Sequence, residues 1–541
     1  MALNVPETFA PPQGIRPNFG AAVVLAIIAT GALAALALND QSLWIDEIGT
    51  WRLTVADSWS DWLQQFVYWP SSDAQIPLYH LFMRAWVSVL PSTEMSLRAA
   101  NFPWLFAGIL ALLTTRAARG ARPFVLLFTG LVCLHPMVWY YADEARPYAM
   151  IIAGAMISAS GLLTRLLNPG DSSVIADSNS RLIIGTALLA ATSIVGLIWS
   201  TAFLMAAAAT ARAGGTPFPA LSRQNIAVAG ICALLLLPVA YQYLSSVLRG
   251  VGATALHENT LESFSSGLYE VFGLGGIGPG RDQLRSEGAV ALVPYAREIF
   301  AFVLVVGAVF LAGLASSFRR DRSELLYLLA AALIPLLAFF VLGSLKHWRV
   351  LGRHMVPLLF FFSLFLALGI QALARARTAP AWQWACRAIA GAGLLALLIS
   401  SVEISFAQRH RREDIRGAAA MAADALRRGE SAWWVGLSYG AQYYGLPLKD
   451  PSACAAGADR SAVLFDSPRA ADLEACPDPS AIILERPDTY DRAGAVRRYA
   501  TEKSYAPVAL LQGFEILRRT DAVHEPARDS PAPLPADGRA R

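Results

Sequence analysis

Long apolar runs separated by short polar intervals occupy the chain from residue 20 to about residue 402, and beyond that point the pattern changes. A helix that crosses a bilayer needs roughly 20 apolar residues, because a rise of about 1.5 Å per residue must cover about 30 Å of hydrocarbon. Candidate runs lie at 20–38, 99–115, 122–140, 148–166, 182–198, 200–211, 225–247, 299–317, 324–343, 355–374 and 386–402, about eleven spans by this criterion. The runs 182–198 and 200–211 are parted only by "WST", which predicts a very tight turn. The first run is too long for the apolar part of a signal peptide, and only Arg16 precedes it. After residue 404 the period shortens. "SAWWVGLS", "SAVLFDS", "SAIILER" and "PVALLQGFEILRR" are short apolar runs bounded by turn residues and predict strands, and "REDIRGAAAMAADALRRG" predicts a helix.

The predicted architecture is therefore an all-α polytopic membrane domain over 20–404 with a small α/β domain over 405–520. A tail over 1–19 precedes it, and a Pro-, Ala-, Asp- and Arg-rich tail over 521–541 follows, with a composition expected to be disordered. Composition agrees: 55% of residues are hydrophobic and 16% charged, against about 25% charged in an ordinary soluble domain. A net charge of +4 is no nucleic-acid signature.

Arginine placement predicts orientation. Arg116, Arg119 and Arg122; Arg165 and Arg181; Arg212 and Arg223; Arg319, Arg320 and Arg322; and Arg375, Arg377 and Arg387 fall in alternate intervals that are poor in acids. Such intervals read as cytoplasmic. The N-terminus is then inside, and the intervals 39–98, 139–147, 248–298 and 344–354 lie outside with the C-terminal domain. In 39–98, "TVADSWSDWLQQFVYW" and "PLYHLFMRAWVSVL" carry apolar residues at helical spacing with aromatics interleaved, and predict amphipathic interfacial helices. In 248–298, "GLGGIGPG" lacks the strand and spacing of a dinucleotide fingerprint, and reads as a substrate lid or as a plain Gly-rich connector. Cys133, Cys232 and Cys386 sit in or beside apolar runs as packing residues. Cys454 and Cys476 lie in the polar C-terminal region, and are a candidate disulfide if that region faces an oxidising compartment.

Three stretches on the predicted outer face carry chemistry. "SLWIDEIGTW" sets Asp46 and Glu47 at the end of the first span, among Trp44, Ile45, Ile48 and Trp51. A solvated boundary has no need of those bulky side chains, and the setting suits a carboxylate held at a membrane–water cleft. "WYYADEARPYAM" has an aromatic belt at Trp139, Tyr140 and Tyr141, which leaves Asp143, Glu144 and Arg146 unexplained. Glu144 and Arg146 are placed to neutralise each other, or Arg146 to bind a phosphate with two parallel donors. "LKHWRVLGRHMVPLLFFF" gathers Lys346, His347, Arg349, Arg353 and His354 on a face where basic clusters are disfavoured. Snorkelling to headgroups is one reason for it, and binding an anionic lipid-linked substrate is the sharper one. A carboxylate base beside fixed cations suits group transfer from a polyprenyl phosphate, in which a hydroxyl attacks and a phosphate leaves.

In the order "LWIDEIGT", "IPLYHLFMRAW", "PSTEMSLRAANFPWLFAGIL", "YYADEARPYAM" and "LGRHMVPLLFFF", these stretches resemble the GT-C integral membrane glycosyltransferases. The bacterial branch similar to protein O-mannosyltransferases and lipid A aminoarabinose transferases is the nearest in pattern. The resemblance is good over 20–165, patchy to about 405 and only architectural beyond. It implies a sugar donor linked to polyprenyl phosphate and a reaction on the outer face of the bacterial cytoplasmic (inner) membrane. It implies that Asp46 is the catalytic base with Glu47 its companion, and that Glu144 and Arg146 are a second acid and a basic residue at the site, with Tyr148 of the same motif. Lys346, Arg349, Arg353 and His354 then serve the donor phosphate; an Arg-Tyr pair is common in the family where Arg353 and His354 stand here. Many relatives carry His-Pro-Pro where this chain has Gln75, Ile76 and Pro77, so no acceptor or metal contact carries over to that position. Some members hold a divalent cation near the acids, which here would fall to Asp46 and Glu144.

The competing classes are a transporter or flippase of lipid-linked sugars and a polysaccharide polymerase or ligase. The apolar runs hold almost no ionisable residues and show no inverted repeat, which disfavours a transporter. A polymerase or ligase would lean on an Arg- or His-rich outer loop. Glycolipid, polysaccharide and protein hydroxyls all remain open as the acceptor.

Overall fold

A computed structural model describes residues 18–69, 71–117, 121–168, 172–213, 222–250, 259–376, 379–454 and 461–520. The expected disordered tail, most of the N-terminal tail, Arg119 and Arg377 lie outside the described residues. The chain forms two compact units. The first comprises 1–39, 57–88 and 98–410; the second comprises 40–56, 89–97 and 411–541. The interval 39–98 is thus shared between them, and its opening helix groups with the C-terminal chain.

The first unit is helical. Among the described residues nine helices are long and apolar enough to cross a membrane, and a bent pair makes a tenth. Leu358–Ala374, read from the sequence as a span, is apolar but shorter. The bent pair replaces the single run expected over 122–140. Arg122–Cys133 and Pro136–Ala142 meet at 57°, because Pro136 has no N–H to continue the helical ladder. His135 caps the second piece, its Nδ1 accepting from Met137 N at 3.2 Å.

The helix break expected at "WST" lies instead at Ser193, between Ser172–Thr192 and Ile194–Ala213. Ser193 Oγ accepts from Gly196 N at 3.1 Å, an N-terminal cap. A side chain at Gly196 would lie 2.0 Å from Leu189 O, so glycine lets the two helices cross there. Trp199, Ser200 and Thr201 continue the second helix.

Tyr148–Leu167 is the most enclosed span, with 89% of its apolar window buried. Small residues let its neighbour approach: a side chain at Gly185 would meet Ser158 Oγ at 2.4 Å, and one at Gly161 would meet Ser178 O at 2.7 Å. Small faces of this kind are how helices associate where lipid removes the hydrophobic drive. The two expected amphipathic helices form as Trp59–Val67, capped by Ser58 on Asp61 N, and Pro77–Val87, with Pro77 in its first turn.

The glycine-rich stretch is a packed connector. Side chains at Gly276 and Gly280 would collide with the carbonyls of Ser400 and Arg409, at 1.8 and 1.7 Å. Arg409 donates to Gly278 O at 2.9 Å and to Gly276 O at 2.8 Å. These contacts favour the connector over the lid.

The second unit is a six-stranded mixed sheet in the order β2-β3-β1-β4-β6-β5. Its strands are β1 (Ala432–Val435), β2 (Leu448–Lys449), β3 (Ala462–Phe465), β4 (Ala481–Glu485), β5 (Tyr505–Leu511) and β6 (Phe514–Arg519). Strands β2, β3, β1 and β4 are parallel, in a register that sets Trp433 against Val463 and Ile482. The run "PVALLQGFEILRR" is two antiparallel strands rather than one, turning at Gln512 and Gly513, where Gly513 has φ +79°, a conformation glycine adopts freely. Helix Ile415–Arg427 buries Ile415, Ala418, Ala419, Ala422, Ala425 and Leu426, one face at helical spacing. Cys454 and Cys476 are joined by a disulfide, with Cα atoms 5.3 Å apart.

Candidate active-site residues

In the second unit, helix Ile45–Thr54 carries the two adjacent acids. They have different surroundings. Glu47 is fully buried. Its Oε2 accepts from Trp44 N at 3.2 Å, closing the first helical turn, and both carboxylate oxygens lie 3.5 Å from Arg412 Nη1. Asp46 is half-exposed. The apolar setting expected around it is present in part: Ile48 is buried, and Trp44, Ile45 and Trp51 are half-buried.

The helix is fixed from several sides within the unit. Tyr444 Oη accepts from Leu43 N at 2.9 Å and lies 3.0 Å from Ser42 Oγ. Burial, then the Glu94 carboxylate, pushes this phenol up. Trp51 meets Tyr443 edge-on at 4.9 Å, and Arg52 stacks over Tyr439 at 3.6 Å, a cation–π contact.

At the carboxyl ends of β1 and β4 the same unit holds Glu485 and Arg486. Glu485 is buried, and its Oε2 accepts from Leu437 N at 2.9 Å. Burial, reinforced by Glu413, pushes its carboxyl up to about 8. Arg486 pairs with Glu413.

In the first unit, the "DEARP" turn joins Pro136–Ala142 to Tyr148–Leu167, and Asp143, Glu144 and Arg146 are all buried. One side chain organises it: Asn101 Nδ2 donates to the carbonyls of Glu144, Ala142 and Tyr141 at 2.6, 3.2 and 3.3 Å. Asp143 Oδ1 accepts from Asn39 N at 3.0 Å and lies 4.0 Å from Arg98 Nε. Arg146 Nη1 lies 2.8 Å from Asp73 Oδ1, and His80 Nε2 is 3.9 Å from the same oxygen. Burial pushes the Asp73 carboxyl up, but Arg146 and His80 outweigh it and hold the group well below the usual range. Burial also lowers His80 despite Asp73, which favours its neutral form. Tyr148 is buried, its ring 4.6 Å from that of Tyr141. Gln75 ends the short turn Ser72–Gln75 that carries Asp73, and Pro77 opens the next helix.

The basic stretch follows Arg322–Leu345 in the same unit. Lys346 and His347 are exposed; Arg349, Arg353 and His354 are half-buried. Burial lowers the Arg349 guanidinium, and the charges of Arg285 and Arg353 lower it further, against the opposing Glu262. Two like charges thus act on Arg349, and an anion beside it would offset their repulsion. His354 is held toward its neutral form. Its Nδ1 accepts from Leu351 N at 3.0 Å, its ring lies 4.6 Å from that of Trp348, and burial with Arg353 nearby holds it well below the usual histidine range.

Sequence reasoning missed Asp73, His80, Arg98, Asn101, Arg285 and Arg412. Arg98 and Asn101 did carry a signal, being polar residues at the head of an apolar run, where such groups are costly unless paired. The others become visible only through their partners. Among the described residues no group of three or more His, Cys, Asp or Glu side chains is placed to hold a metal ion.

No protein-family model matches the chain, and no curated protein matches it either. Over most of its length it is structurally similar to GT-C membrane glycosyltransferases. ArnT from Cupriavidus metallidurans, bound to undecaprenyl phosphate, is 14% identical with a TM-score of 0.48, over 93% of this chain and 99% of that one. The arabinofuranosyltransferase AftD from Mycobacteria is 14% identical with a TM-score of 0.41, over 94% of this chain and 40% of that one. The Archaeoglobus fulgidus oligosaccharyltransferase, in complex with Zn and sulfate, is 13% identical with a TM-score of 0.41, over 91% of this chain and 72% of that one. At these identities the likeness assigns no residue.

Proposed function

We propose that the protein is a membrane glycosyltransferase that moves a sugar from a polyprenyl-phosphate donor to a hydroxyl acceptor on the outer face of the cytoplasmic membrane. Asp46 takes the acceptor's proton. As the hydroxyl oxygen bonds to the anomeric carbon, the bond from that carbon to the phosphate oxygen breaks, and polyprenyl phosphate leaves with the electron pair. Positioned proton transfer of this kind contributes about 10²–10⁴ in rate.

The observation that carries the reading is the division between two neighbouring acids. Glu47 is buried and engaged by its own helix and by Arg412, while Asp46 stands half-exposed on the same turn. A boundary marker would need no such support. Arg349, with the charges of Arg285 and Arg353 acting on it, supplies the second element, positive charge for a leaving phosphate. Lys346 and His354 flank them in sequence. Glu144 is the second acid of the site, with Arg146 and Tyr148 completing its turn.

The test is turnover by the purified protein with a panel of polyprenyl-phosphate sugars and lipid, polysaccharide and peptide hydroxyl acceptors. Release of polyprenyl phosphate together with a glycosylated acceptor is expected for one donor class. No sugar transfer from any donor, combined with transport of intact lipid-linked sugar across vesicles, would contradict the reading.

A further inference from the structure

The unit that holds the acid-bearing helix takes up residues 89–97 and then, after residues 98–410 of the first unit, resumes at residue 411. The segment that resumes, "RREDIR", touches the helix and its approach at Asp40, Gln41, Ser42 and Glu47. Arg412 N donates to Gln41 Oε1 at 2.9 Å, and its guanidinium lies 3.5 Å from Glu47. Arg416 N donates to Ser42 Oγ at 3.1 Å. The Arg416 guanidinium reaches Glu94 at 2.8 Å and Asp40 at 3.2 Å.

The segment is itself fixed to the sheet. Asp414 N donates to Gln512 O at 2.8 Å, and the Asp414 side chain caps helix Ile415–Arg427 through Gly417 N at 2.8 Å. Glu413, next to Arg412, bonds Arg486 at the end of β4. Arg486 N donates to Gly513 O at 2.8 Å, in the β5–β6 turn. The Arg412 side chain is only 6% exposed and Glu47 fully buried, which removes the solvent screening that makes surface pairs weak. A chain of contacts thus runs from the sheet through Glu413 and Arg412 to the residue beside Asp46.

We propose that Arg412 is a positioning residue for the transfer reaction: by holding Glu47 it fixes the first turn of helix Ile45–Thr54 and so the place from which Asp46 acts. The C-terminal α/β unit is then part of the catalytic apparatus, through the segment that begins it. This inference rests on the assignment of Asp46 as the base.

The experiment uses the full-length protein in lipid nanodiscs, with Arg412→Gln, Arg412→Lys and Glu47→Gln. Glu47→Gln removes the ion pair but keeps an acceptor for Trp44 N, and serves if Arg412→Gln does not fold. Two readouts are taken: hydrogen exchange of residues 45–54, and kcat and KM for the donor that the wild type turns over. In Arg412→Gln the helix amides exchange about tenfold faster, while those of Tyr148–Leu167 keep wild-type rates. A misplaced base lowers kcat about 10- to 100-fold, with donor KM within a factor of about two, and Arg412→Lys recovers most of the loss. Unchanged exchange in the helix, or faster exchange with wild-type kcat, overturns the proposal. If the wild type turns over no donor, or if Asp46→Asn stays active, the functional reading fails instead, and the exchange data alone decide whether Arg412 holds the helix.

Discussion

Arg146 and Asp73 form a buried ion pair, with Nη1 2.8 Å from Oδ1 and both side chains largely shielded from solvent. The pair ties the "DEARP" turn to the turn before Pro77–Val87, two segments that are far apart in sequence. Removing one member leaves an uncompensated buried charge, which costs about 3–5 kcal/mol. Arg146→Met is therefore expected to lower thermal stability strongly. The double variant Asp73→Asn/Arg146→Met should recover part of the loss, as neither charge is then stranded. A scanning unfolding measurement on the three proteins checks this; equal destabilisation by the single and double variants would show that the pair itself is not the cause.

Glu485 makes the stability of the C-terminal unit depend on pH. Its carboxyl is raised in the fold to about 8, above its ordinary value of 4.5, by burial and by Glu413. A group raised in this way stabilises the fold fully below its unfolded value. The contribution is lost as pH climbs from about 4.5 to and through about 8, by at most about 1.4 kcal/mol per pH unit for one proton. Stability of this unit, followed by exchange of the β1 and β4 amides, should fall between pH 5.5 and 8. In Glu485→Gln that slope should flatten. An unchanged slope would move the pH dependence to another group.

The guanidinium cluster predicts how donor binding responds to charge. Losing a charge-assisted hydrogen bond to phosphate costs about 1.5–3 kcal/mol, so Arg349→Ala and Arg353→Ala should each weaken donor binding about tenfold or more. Arg285→Ala should weaken it less, because Arg285 already pairs with Asp282 at 3.1 Å. Binding isotherms with a donor analogue in nanodiscs measure this, and unchanged affinity in both Arg349→Ala and Arg353→Ala would remove the cluster from the donor site.

The sequence made some of this arrangement readable. Apolar run length set the spans, and turn residues around short apolar runs marked β1, β3 and β4, because both signals are local. The bend at Pro136 and the crossing at Gly196 were not read from the same runs, since one depends on a missing N–H and the other on how closely two helix backbones approach. The acids were visible as charges beside a span. Their separate surroundings were not, because Glu47 meets Arg412 only in the folded unit. Arg146 drew attention beside Glu144, its neighbour in sequence, whereas the partner the fold gives it is Asp73.

The measurement that tests the account most directly compares wild type with Asp46→Asn in a single-turnover assay, together with binding of the same donor. Asparagine keeps the size of the side chain but cannot take a proton. Transfer is expected to fall about 10²–10⁴-fold, with donor affinity close to that of the wild type. Asp46→Asn protein that transfers sugar at the wild-type rate would contradict the assignment of Asp46 as the base.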